Sequence, residues 1–230
     1  MSSDGFQGAV ARADSYHVGD VVPVSGFDTV SAGTNVLISG PPMLGKRRLA
    51  LELLAVGTPD EHAIAITPDT DGDRLRSTYE GLPDGDPDRL HVVDCTGATG
   101  KGSMDDTEAI KYVGSPGDLT GIGMGIVKCT RDIGREVEAG LRLSVLSLST
   151  ILQYADSQRM FNFLHTITGR VSAANYLGIA TLDPTTQNTQ EVNTLTSLFD
   201  AVVELREADD GTREMRVVGL PDAPRTWVSF

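Results

Sequence analysis

Between residues 35 and 205 the chain alternates short apolar runs with longer stretches in which apolar residues recur every three or four positions. The first kind of run predicts a buried strand and the second an amphipathic helix. NVLIS (35–39) is a strand, GPPMLGK a Gly/Pro turn, and RRLALELLAVG a helix with Leu49, Leu53 and Leu54 on one face. HAIAIT (62–67) is a second strand, followed by the turn PDTDGD and a helix, DRLRSTYEGL, that Gly81 and Pro83 stop. LHVVDC (90–95) is a third strand. A short strand is expected within residues 111–120, then a helix through GIGMGIVKCTRDIGREVEAG, and a strand over Leu141 to Leu148. Met160, Phe161, Leu164 and Ile167 place a long amphipathic helix over 155–174. The strand YLGIATL, the turn DPTTQNTQ and the helix EVNTLTSLFD follow. AVVELRE and REMRVVG then alternate with period two around Asp209, Asp210 and Gly211, the pattern of a β-hairpin.

Repeated strand–helix units predict an α/β fold, with a mostly parallel sheet flanked by helices and a C-terminal antiparallel hairpin. Ligands of such sheets bind at the carboxyl ends of the strands. No repeat, low-complexity tract or linker divides the chain. A lead-in over residues 1–20 and a single domain over 21–230 are therefore expected.

Composition narrows the partners. The 19 basic and 32 acidic residues give a net charge of −13, a field that repels phosphate backbones and anionic lipid surfaces, so nucleic acid is disfavoured as a partner. Only four of the basic residues are lysines, Lys46, Lys101, Lys111 and Lys128. Scarce Lys, abundant Asp and few aromatics form the pattern expected of a protein soluble in molar salt, where the screening length falls to about 3 Å. No apolar run approaches the roughly 20 residues of a membrane span, and the N-terminus lacks the basic and apolar regions of a secretory signal. A cytoplasmic location is the expectation. Cys95 and Cys129 have no metal spacing and read as small core residues.

Gly40, Pro41, Pro42, Met43, Leu44, Gly45 and Lys46 fit G-x-x-x-x-G-K between a strand and a helix, the setting a phosphate-binding loop requires. Such a loop wraps backbone N–H groups around a phosphate, the helix N-terminus adds partial positive charge, and the lysine reaches between phosphates. The next residue of that pattern is Ser or Thr, whose hydroxyl holds Mg²⁺; here it is Arg47, which has no lone pair for a metal. Lys46, Arg47 and Arg48 together suit phosphate without a metal.

The segment from YHVGDVVPVSGFDTV through the loop to LALELL resembles the opening of RecA-superfamily ATPases of the KaiC and RadA type, and PGDLTGIG and LSVLSLSTIL carry further similarity. The likeness is strongest to small single-domain RecA-like proteins of halophilic archaea described as implicated in signal transduction. It implies a RecA-like P-loop core and a family habit of assembling as rings, filaments or dimers, hence self-association or a protein partner. The family's second motif ends an apolar strand in Asp; here Leu146 stands at that position. Both residues that would anchor Mg²⁺ therefore depart from the pattern in the same direction. A third position, an acidic general base after the second strand, falls at Asp69 or Asp71, which equally suit helix capping in a chain this rich in Asp. The resemblance thus implies a regulatory or scaffolding protein that binds ATP or ADP weakly or without metal and hydrolyses little or none. Two alternatives stay open: a slow ATPase with Asp69 or Asp71 as base, and a DNA recombination-type motor, which the charge disfavours.

The remaining constellations are weaker. Gly97 to Gly102 (GATGKG) imitates a phosphate loop at the wrong spacing, and PGDLTGIG (116–123) reads as a structural loop before a helix. His17, His62, His91 and His165 are scattered without metal-ligand spacing, and no Gly-x-Ser-x-Gly elbow appears.

Overall fold

A computed structural model describes residues 13–97, 105–220 and 224–230. Two short strands, β1 (Ser15–His17) and β2 (Thr29–Ser31), pair antiparallel. The units β3 (Asn35–Ser39), α1 (Lys46–Ala55), β4 (His62–Thr67), α2 (Gly72–Glu80) and β5 (Leu90–Asp94) follow. Then come β6 (Ile110–Tyr112), α3 (Leu119–Ile133), β7 (Leu141–Val145), α4 (Leu148–Ile151), α5 (Ser157–Ala174), β8 (Leu177–Leu182) and α6 (Thr189–Thr196). The hairpin β9 (Ala201–Glu207) and β10 (Arg213–Val218) and the terminal β11 (Val228–Ser229) complete the chain. The nine-stranded sheet runs β11-β10-β9-β3-β8-β7-β4-β5-β6, parallel from β9 to β6 and antiparallel at β10 and β11. The expected α/β architecture and the C-terminal antiparallel hairpin are both present.

Each central strand is apolar on both faces because helices cover both. On β3, Val36 and Ile38 enter the core beneath α1 and α2, whereas Leu37 enters the one beneath α3 and α5. Ala63 and Ala65 of β4 face the first core and Ile64 and Ile66 the second. Gly125 lets α3 settle on the sheet: a Cβ there would lie 2.7 Å from Val93 Cγ1. The helix expected through residue 140 stops at Ile133, where Gly134 takes φ +69° and a short 3₁₀ turn follows. Likewise the strand expected to reach Leu148 ends at Val145, because Ser147 turns left-handed (φ 73°) and caps α4 through Thr150 N.

The described end of the lead-in is tied to the domain by one buried cation. Arg142 on β7 is fully buried. Its Nε donates to Glu61 Oε2 at 2.7 Å, its Nη1 donates to Leu53 O at 2.8 Å and to His17 O at 3.1 Å, and its guanidinium lies over the Tyr16 ring. Tyr16, itself buried, donates its hydroxyl to Asn175 O and accepts from Leu141 N. At the β10–β11 edge of the sheet, the guanidinium groups of Arg206 and Arg216 lie over the Trp227 ring, 4.1 and 4.5 Å from its centroid. These arginines pair with Glu214 and Glu204 across the hairpin.

Removing one member of a buried ion pair leaves the other desolvated and uncompensated. Glu61→Ala is expected to cost about 3–5 kcal/mol of unfolding free energy, read from urea denaturation; a loss comparable with that of an exposed pair such as Arg48–Glu52 would refute the anchoring role.

Candidate phosphate-binding site

The candidate loop leaves β3 at the centre of the sheet. Gly40 is needed there, since a Cβ would stand 2.8 Å from Leu205 Cβ and 2.9 Å from Leu205 O on the adjacent strand. The chain then rises over Pro41 and Pro42 to Met43, which sits at φ +66° with 91% of its surface exposed. A left-handed residue with a Cβ is strained by about 1–2 kcal/mol, and nothing apolar covers this one. Leu44 turns back into the core, and Gly45 (φ +87°) opens α1. No side chain caps that helix and no acidic residue lies in its first turn, so no group of α1 itself offsets the positive end of its dipole there.

Lys46 Nζ curls across the loop and donates to Gly40 O (2.6 Å) and Pro41 O (2.5 Å). Burial lowers its pKa, while the Asp183 carboxylate at the end of β8 opposes that shift. Arg47 turns the other way and makes an ion pair with Asp69 and a hydrogen bond to Thr70 Oγ1. Arg48 is exposed and pairs with Glu52 one turn on, at 2.8 Å, which raises its pKa. The two acidic candidates separate cleanly. Asp69 faces the loop through Arg47, whereas Asp71 Oδ1 accepts from Asp73 N (3.1 Å) and Arg74 N (3.2 Å) and caps α2.

A hydroxyl chain closes the site on the β7 side. Ser147 Oγ and Thr150 Oγ1 are 2.7 Å apart, Thr150 Oγ1 makes a long contact of 3.5 Å with Asp69 Oδ2, and Ser147 N donates to Thr181 Oγ1 at 2.8 Å. Leu146, one residue earlier, is fully buried in the apolar core. Met43, Lys46, Arg47, Arg48, Asp69 and Ser147 share an open cleft of about 770 Å³. The structure thus brings Gly40 to Arg48 and Asp69 together and leaves Asp71 outside. Thr70, Thr150, Thr181 and Asp183 went unnoticed in the sequence. Their one signal is position, since each lies at or just beyond the carboxyl end of β4, β7 or β8, where α/β sheets bind ligands. The imitation loop at Gly97 to Gly102 lies, but for Gly97, outside the described residues.

At the two positions where the resemblance implies Mg²⁺ ligands the chain carries a guanidinium, Arg47, and a buried alkyl side chain, Leu146. Two arginines, a lysine and an uncapped helix N-terminus converge on the cleft. No group of three or more His, Cys, Asp or Glu among the described residues is arranged to hold a metal ion.

The fold is that of the RecA/KaiC-like α/β proteins. A KaiC-like protein of the hyperthermophilic archaeon Pyrococcus horikoshii OT3 superposes with a TM-score of 0.63 at 14% identity, over 96% of this chain and 93% of that one. Over residues 33–205 the chain matches the model of a family of unknown function, DUF7504, and it belongs to that family. Comparison with curated proteins finds no match.

Two substitutions separate the acidic residues. Asp71→Ala is expected to cost about 1 kcal/mol through the lost cap and to leave anion binding unchanged. Asp69→Asn releases Arg47 and is expected to tighten inorganic phosphate binding measured by calorimetry; weaker binding would show that Asp69 supports the ligand instead of competing with it.

Proposed function

We propose that this protein is a regulatory or scaffolding member of the RecA/KaiC-like fold, acting in signal transduction, that binds the phosphates of ATP or ADP without a metal and hydrolyses little or none. The observation that carries this reading is the Arg47–Asp69 ion pair. Both residues line the cleft, and the pair sets a permanent cation at the sequence position of the hydroxyl that the resemblance assigns to Mg²⁺. It also occupies the carboxylate best placed to activate a water. The Oδ1 of Asp69 is engaged by the guanidinium, so that oxygen cannot orient a water until the pair opens.

In this reading Lys46 leaves the carbonyls of Gly40 and Pro41 to meet a phosphate, and Arg47 exchanges Asp69 for a phosphate oxygen. Arg48 contributes at longer range. Both exchanges trade one charge-assisted hydrogen bond for another, which makes binding weak and reversible, as suits a sensor. The exposed Met43 and the family habit of assembly point to a protein partner or a second copy as the recipient of the signal. The net charge of −13 disfavours nucleic acid, and the scarcity of Lys fits a halophilic cytoplasm.

The test is thermal unfolding in molar KCl with ATP, ADP or no nucleotide, each with and without Mg²⁺. A ligand that binds only the folded chain adds about 2.7 kcal/mol at a hundred times its Kd. The expected result is stabilisation that does not require Mg²⁺, is lost in Lys46→Ala, and is accompanied by no phosphate release. Stabilisation only with Mg²⁺, together with turnover, would replace this reading by that of a slow ATPase.

A further inference from the structure

On the face of the sheet covered by α3 and α5 an apolar groove of about 540 Å³ runs between the two helices. Met124 and Val127 of α3 line it with 58% and 55% of their surfaces exposed, and Phe163 of α5 lies across from them. A Cβ placed at Gly123 would meet nothing within 4 Å, so the backbone of α3 is open to close approach there. Both helices return from one parallel strand to the start of the next, β6 to β7 and β7 to β8, so they run in the same direction. Arg131 lies seven residues beyond Met124 and Arg170 seven beyond Phe163, which sets both guanidinium groups at the same end of the groove. Lys128 joins them on the rim, its ammonium 2.6 Å from Asp106.

The charge of this groove runs against that of the molecule. In a chain with 32 acidic and 19 basic residues, the described residues that line the groove include Lys128, Arg131 and Arg170 and no Asp or Glu; Asp106 and Asp132 pair with Lys128 and Arg131 from outside the lining. We propose that it docks an acidic amphipathic helix of another protein, with apolar residues on Met124, Val127 and Phe163 and carboxylates toward Arg131 and Arg170. Helix-in-groove recognition uses such spacing, Met supplies a surface that adapts to its occupant, and opposed charges fix direction and partner. A second copy presenting the same groove would set concave against concave and bring only cations to cations.

The experiment uses two fluorescent helical peptides of equal length, one built of Leu and Glu and the other of Leu and Lys, titrated with the full chain over a series of KCl concentrations. The Leu/Glu peptide is expected to bind at least about tenfold more tightly. The paired change Arg131→Glu and Arg170→Glu should reverse that preference, and Met124→Ser should weaken both peptides, all with the parent's melting temperature. Equal affinity for the two peptides, or a preference untouched by the charge reversal, would overturn the proposal. So would a dimer seen by light scattering that Met124→Ser dissociates, since the occupant would then be a second copy. Phosphate binding at the Lys46 site is read separately and bears on neither outcome.

Discussion

The constraint on which the rest depends is that β3 lies between two parallel neighbours, β8 and β9, and is buried on both faces. A strand so placed can leave the sheet only at its ends. The carboxyl end is narrowed further by Leu205, which admits no side chain at residue 40. The polypeptide must therefore turn sharply over β3 and start a helix at once, and α1 is held there by its buried Leu49, Leu53 and Leu54. Backbone N–H groups and a helix N-terminus converge above the middle of the sheet as a geometric result of that burial, whatever the loop then binds. The same burial brings the ends of β4, β7 and β8 to the loop, and with them Asp69, Ser147 and Thr181.

Within that frame, electrostatics decides what the site can do. The Arg47–Asp69 pair joins the first turn of α1 to the loop after β4, and the hydroxyls of Ser147 and Thr150 extend the contact toward β7. Three segments that would otherwise be separate loops are thereby cross-linked by polar contacts above the sheet. Arg142 performs the corresponding service within the fold, joining the lead-in, α1 and the segment before β4 through Glu61 and two carbonyls. One arginine is half-buried beside an open cleft; the other is sealed in the core.

Much of the fold was legible because its strands are apolar on both faces and its helices are amphipathic, and those two periods differ. The elements that escaped notice are β1, β2 and β11, of two or three residues each, and α4, of four, all too short for any period to register. Two boundaries shifted at Gly134 and Ser147, where a positive φ ends an element that hydrophobicity alone would prolong, and the helix expected over residues 191–200 instead spans Thr189–Thr196. In the site, the loop and its three cations were readable from spacing. Which of Asp69 and Asp71 faces the cleft was not, because both sit in the same turn and only the direction of α2 separates them. Thr150 and Thr181 were hidden for a related reason: they are ordinary residues made relevant by strand order, which a linear pattern does not contain.

The two ends of the nine-stranded sheet carry a consequence for the behaviour of the chain in concentrated solution. An edge strand offers unpaired N–H and C=O groups to any neighbour able to extend the ladder. Here one edge is β6, three residues long, and the other is β11, two residues long, with Trp227 beside it in contact with Arg206 and Arg216. Each outermost strand is thus only two or three residues long, a poor template for extending the ladder. A molecule blunted in this way can leave Met124, Val127 and Met43 uncovered without those apolar residues seeding strand-to-strand aggregation.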